Sequence, residues 1–119
     1  LEINYYKRTG MFPIMHTTAI KQEIVDKYPW VPINLMQAFE ASKKAAYKRM
    51  ENPRIVPLAW FRHFLEEQEE ILGADPWVYG LGDVNRRGLD TLMQYSQEQG
   101  LIGRKMSLKE LFADTEAHS

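Results

Sequence analysis

The sequence predicts a mostly helical chain with one short strand, and that strand, lacking a partner of its own, points to part of an α/β lobe. Three observations lead there. Apolar residues recur at three- and four-residue spacing in successive stretches, each closed by a proline or a glycine. One run alone, Ile14 to Ile20, is rich in Ile and Thr and is bounded upstream by Gly10 and Pro13, as a strand would be. The connections are short, and no internal repeat, heptad or low-complexity stretch is present.

Taken in order, Ile14–Ile20 reads as a strand whose partners lie outside the sequence, buried on both faces if the sheet is parallel. Lys21 to Tyr28 reads as a short helix, with Ile20, Ile24 and Tyr28 at four-residue spacing. Pro29 stops it, because proline lacks a donor and drives the preceding residue out of the helical region. The helix from about Pro32 to Met50 places Val31, Leu35, Phe39, Ala46 and Met50 on one stripe, with Lys43, Lys44, Lys48 and Arg49 decorating the rest. Asn52-Pro53 ends it.

A third helix is expected from about Pro57 to Leu72. Leu58, Phe61, Leu65, Gln68 and Leu72 form its inner side, Trp60 and Phe64 widen the buried face, and Glu66, Glu67, Glu69 and Glu70 face water. Gly73 is placed to end it in a left-handed cap. Asp75 to Val84 is a loop of turn formers carrying Trp77 and Tyr79. Asn85 is positioned to cap a fourth helix with Leu89, Leu92, Met93 and Ser96 inside. Gly100-Leu101 matches a Schellman ending, and Ser107-Leu108-Lys109-Glu110 is a capping box for a last short helix over about Leu108 to Phe112. Asp114 to Ser119 is expected to fray.

At 119 residues there is room for one modest domain. With 15 basic and 16 acidic residues the net charge is −1, which gives no electrostatic case for nucleic acid or an anionic membrane. No apolar run approaches the roughly 20 residues that span a bilayer. The absence of cysteine excludes disulfides and thiolate metal sites, and three scattered histidines do not make a protein-only metal site. No glycine-rich phosphate loop, paired-histidine zinc motif, calcium loop or nucleophile elbow occurs. The sequence opens on Leu1 with no basic-apolar-small leader, which reads as a piece of something longer.

Few residues carry chemistry on pattern alone. His16 can exchange a proton near neutral pH, as histidines with an ordinary pKa of about 6.5 do, or it can be an ordinary histidine satisfied by a backbone carbonyl. Lys7 and Arg8 sit before the Gly10–Pro13 turn; Arg8 can hold a carboxylate by a two-pronged hydrogen bond, or both can be solvated charges. Thr17 and Thr18 alternate faces in a strand, so only one of them shares a face with His16's neighbours. Trp77 and Tyr79 can line a pocket, although packing over a helix junction is the simpler reading. Trp30 and Trp60 read as core, and His63, beside Arg62 and Glu66, as surface. His118 falls in the frayed end. The acidic run around Glu67 and the basic cluster around Lys44 read as solvated faces.

The order of motifs adds what pattern does not. Arg8-Thr9-Gly10-Met11-Phe12-Pro13-Ile14-Met15-His16-Thr17 is followed by Tyr28-Pro29-Trp30-Val31, Ala38-Phe39-Glu40-Ala41-Ser42-Lys43 and Asp75-Pro76-Trp77-Val78-Tyr79-Gly80. Then come Asn85-Arg86-Arg87, Tyr95-Ser96-Gln97-Glu98-Gln99-Gly100-Leu101 and Ser107-Leu108-Lys109-Glu110-Leu111-Phe112. This succession resembles the last third of the 4,5-dihydroxyphthalate decarboxylase family. The resemblance implies an α/β parent fold of the type II periplasmic-binding-protein kind. Residues 1–119 would form a single C-terminal segment of a larger two-lobed protein, with its N-terminal lobe as missing partner.

It also implies non-oxidative decarboxylation of an aromatic dicarboxylic acid, with no cofactor and no metal. His16 would be the catalytic residue, and Arg8 and Thr17 would bind substrate. Because fold does not fix function, a solute-binding protein for a small organic acid is the alternative. The enzyme reading places the protein in the cytoplasm, the transport reading in the periplasm or outside the cell. Taken alone the segment is expected to be inactive and, through its strand edge and uncovered apolar surface, able to self-associate.

Overall fold

The computed structural model describes residues 1–115, which form six helices: α1 (Glu2–Thr9), α2 (Gln22–Lys27), α3 (Trp30–Met50), α4 (Phe61–Leu72), α5 (Asp83–Glu98) and α6 (Leu108–Leu111). The mostly helical character agrees with expectation. The strand at Ile14–Ile20 does not form, and no strand occurs among the described residues. A strand must give its backbone N–H and C=O groups to a neighbour, and no strand is present among the described residues to pair with this one. Residues 14–19 are instead exposed and irregular.

α1 was not anticipated. Its sequence carries the charge signature of a short helix: Glu2 in the first turn, Lys7 and Arg8 in the last, and Gly10 just beyond. Gly10 takes the left-handed conformation (φ 65°, ψ 15°) and returns its N–H to the Tyr6 carbonyl at 2.7 Å. Arg87 of α5 donates to the Thr9 carbonyl at 3.3 Å, so a cation caps the negative end of α1.

Pro29 ends α2 as expected and also serves as N-cap of α3. Pro32 falls in the first turn of α3, where helix N–H groups have no internal acceptor, so the missing donor costs nothing there. α2 packs against α3. α4 starts at Phe61, four residues later than the Pro57 expected, because two tight turns come first: Leu58 donates to Val56 at 2.8 Å and Phe61 to Leu58 at 3.2 Å. Gly73 ends α4 with positive φ (82°) but extended ψ (−178°), a glycine conformation other than the left-handed cap.

The end of α5 is the expected Schellman motif: Leu101 donates to Ser96 at 2.8 Å and Gly100, at φ 73°, to Gln97 at 3.0 Å. At α6, Glu110 folds back on the N-cap, accepting from the Ser107 N–H at 2.7 Å and the Ser107 hydroxyl at 2.9 Å. Asp114 and Thr115 follow α6 outside any element; the rest of the expected frayed end, His118 included, lies outside the described residues.

The core is small. Among the described residues Leu89 and Leu108, each 8% exposed, and Pro32 at the start of α3 are the buried apolar ones. The Cα radius of gyration is 17.3 Å, against about 13–14 Å for a compact chain of this length. Trp30 and Trp60, read as core, are exposed, as are Phe64 and Leu92. The inner side expected of α4 is half-buried at Phe61, Leu65, Gln68 and Leu72, but Phe39 and Ala46 of the α3 stripe and Leu92 of α5 are exposed, because the apolar faces are broader than the surface the other helices cover.

Candidate functional site

An open cleft of about 460 Å³ lies where four stretches of chain meet; small-molecule sites span roughly 300–1,000 Å³. The irregular segment after Pro13 supplies Ile14, His16, Thr17, Thr18 and Ile20. From α3 come Pro32, Leu35, Met36 and Phe39, a single helical stripe. The loop before α5 adds Val78 to Leu81, α5 adds Asn85 and Leu89, and Phe112, Ala113 and Thr115 complete the lining. Most of this surface is apolar, interrupted by one imidazole, three threonine hydroxyls, a phenol and an amide.

His16 and Thr17 therefore share the cleft. Thr18 lines it too, contrary to the alternation expected of a strand, because the segment is irregular and does not hold successive side chains on opposite faces. Arg8 does not line the cleft: it sits at the end of α1, its guanidinium carbon 5.7 Å from the centre of its own helix's Tyr5 ring. His63 is on the surface as expected, its ring 5.9 Å from Phe64. Trp77 meets Phe12 edge-on at 5.3 Å, which is the packing role read for it, whereas Tyr79 and Gly80 line the cleft.

Behind the loop lies a cluster the sequence reading missed. Lys43, expected on a solvated face, is buried, with its side chain 6% exposed. Its ammonium donates to Asp75 Oδ2 at 2.9 Å, to the Trp77 carbonyl at 3.0 Å and to Glu40 Oε1 at 3.3 Å. These use all three of its N–H groups. The ammonium also lies 4.4 Å from the centre of the Tyr79 ring. Tyr47, one turn further along α3, donates to Asp75 Oδ1 at 2.7 Å. Lys44, Lys48 and Arg49 are exposed, as expected. A signal for Lys43 was present: Leu35, Phe39, Lys43 and Tyr47 follow at four-residue steps, which sets the lysine inside the apolar stripe.

Burial works against the Lys43 ammonium, but its hydrogen bonds to Asp75 and Glu40, and their charge, outweigh that and hold its pKa above the ordinary lysine value. Burial likewise pushes Asp75 upward, yet the hydrogen bonds from Lys43 and Tyr47 prevail and keep its carboxyl below the usual range. Burial, reinforced by the bond to Asp75, pushes the Tyr47 phenol up. Lys43 and Asp75 are thus both charged at neutral pH, and the Tyr47 phenol keeps its proton.

Asn85 pins the loop from the other side. It is not the N-cap expected; Gly82 is, and Asn85 lies within the first turn of α5. Its amide instead donates to the Val78 carbonyl at 2.8 Å and the Gly80 carbonyl at 2.9 Å. Among the described residues no group of three or more His, Asp or Glu side chains converges as a metal site would require. No helix among them is long and apolar enough to cross a membrane.

The chain is similar to the 4,5-dihydroxyphthalate decarboxylase of Comamonas testosteroni. The two are 32% identical over 110 residues, covering 91% of this chain and 33% of the relative. This supports a distant family relationship, and the chain spans about a third of the relative's length. No protein-family model matches.

Proposed function

We propose that this chain forms one wall of the site of a decarboxylase acting on an aromatic dicarboxylic acid of the 4,5-dihydroxyphthalate kind, the opposing wall coming from a second lobe. The similarity to the decarboxylase supports the reaction class. The observation that carries the reading to residues is the place of His16, with Thr17, on the rim of a mostly apolar cleft of ligand size.

In this reading the aromatic ring lies against the apolar surface of Leu35, Met36 and Phe39. A protonated His16 gives its proton to the ring carbon that bears the departing carboxylate, helped by electron release from a ring hydroxyl. The bond to the carboxylate then breaks, its electron pair restores the aromatic ring, and carbon dioxide leaves. One proton is consumed, and His16 regains it from water. The Thr17 hydroxyl hydrogen-bonds a substrate oxygen. Arg8, standing apart from the cleft, holds the remaining carboxylate only if the substrate or the opposing lobe reaches α1, so its role has its own test.

His16→Ala is expected to lower kcat by about 10²–10⁴, the usual size of a general-acid contribution, with the dissociation constant for substrate little changed. Unchanged kcat removes His16 from the chemistry. Arg8→Ala is expected to raise the dissociation constant; no change confines Arg8 to α1.

A further inference from the structure

We infer that Lys43 is the positioning residue of the cleft: it fixes the Asp75–Leu81 loop as a wall and presents the Tyr79 ring to a bound aromatic acid. The identity of the ligand rests on the function proposed above; the clamp itself does not. Residues 73–82 form no helix or strand, and Gly73 and Gly80 both have positive φ, at 82° and 83°. Such a loop holds a defined shape only through side-chain anchors.

The anchors nearest Tyr79 are Lys43, which ties the stretch before it, and Asn85, which ties the residues on either side of it. Lys43 binds Asp75 Oδ2 and the Trp77 carbonyl, and Asn85 binds the Val78 and Gly80 carbonyls. The backbone is therefore tied immediately before and immediately after Tyr79. The Lys43 ammonium, 4.4 Å from the ring centre, adds a direct attraction to the ring itself. Lys43 does not line the cleft, whereas Tyr79 does. Lys43 thus acts on a ligand through Tyr79, whose flat ring suits stacking against another aromatic ring.

The test uses the full chain with Lys43→Met, Lys43→Arg, Tyr79→Leu and the Lys43→Met/Tyr79→Leu double variant. Amide hydrogen exchange over residues 75–82 reads the clamp, and calorimetric titration with 4,5-dihydroxyphthalate reads its effect on a ligand. Lys43→Met is expected to speed exchange in this loop about tenfold and to weaken binding about tenfold, within the range for coupled neighbours. The double variant is expected to bind no more weakly than Tyr79→Leu alone. Losses that multiply in the double variant overturn the claim that Lys43 acts through Tyr79.

Lys43→Arg serves where Lys43→Met does not fold. A planar guanidinium cannot meet three convergent acceptors as an ammonium does, so a smaller shift in the same direction is expected. Exchange in the loop that matches the wild type in every folded Lys43 variant overturns the inference. If the wild type binds no aromatic acid, the proposed function fails on its own, and loop exchange alone decides the clamp.

Discussion

Removing the Asp75 carboxylate is the perturbation whose cost the structure defines best. Asp75 accepts two hydrogen bonds on different oxygens, from the Lys43 ammonium at 2.9 Å and from the Tyr47 hydroxyl at 2.7 Å. In Asp75→Ala the buried ammonium keeps only Glu40 and the Trp77 carbonyl, and the phenol loses its acceptor. Hydrogen bonds to charged groups contribute about 1.5–3 kcal/mol each. The Asp75 side chain is 42% exposed, so solvent screening reduces the sum to about 2 kcal/mol. Asp75→Asn keeps one acceptor oxygen but turns an N–H₂ toward the second donor and removes the charge, at about 1 kcal/mol. Urea unfolding of the full chain reads both, and Asp75→Ala corresponds to roughly 6–10 °C in Tm. A Lys43→Met/Asp75→Ala variant is expected to lose less than the two single changes added together, because neither leaves the other group stranded. Asp75→Ala within about 0.5 kcal/mol of wild type, with no coupling to Lys43, would refute the clamp as described.

The same cluster sets the dependence on pH. Asp75 is held below its ordinary value, so its contribution is present above about pH 4 and fades as pH falls through the folded value. Lys43 is held above its ordinary value, so its contribution is complete below about pH 10 and is lost as pH rises through the folded value. Tm should be flat between, and Asp75→Asn should flatten the acid arm specifically. Glu110, drawn down to about 2 by the hydrogen bond from Arg104 and those from Ser107, should titrate nearer the ordinary carboxylate range in Arg104→Ala, as followed by carboxyl NMR. Gly10→Ala should cost about 1–2 kcal/mol by urea unfolding, since the left-handed conformation disfavours a Cβ and the added carbon would sit 3.3 Å from Arg87 Nη1.

Local signals in the sequence were faithful where the chain talks to itself. The stop at Pro29, the Schellman turn at Gly100 and the Glu110 contact to Ser107 all involve groups a few residues apart, and all are in place. Segment 14–20 failed for the opposite reason: β-rich composition states a preference, but a ladder needs a second strand. Trp30 and Trp60 failed similarly, since burial depends on what lies opposite and not on the residue alone. Lys43 lay inside the apolar stripe of α3, but its partner Asp75 is 32 residues away in a loop, and no local pattern names that pairing. At the cleft, His16, Thr17 and Tyr79 were legible as candidates, although packing was the simpler reading for Tyr79; the anchoring of its loop by Lys43 and Asn85 was not legible.

The most direct test is to incubate the protein complete with its opposing lobe with 4,5-dihydroxyphthalate and follow carbon dioxide and 3,4-dihydroxybenzoate together. Saturable, stoichiometric release of both products is expected. Saturable binding of the acid, or of another small organic acid, with neither product formed would contradict it and make the cleft the seat of a solute-binding protein.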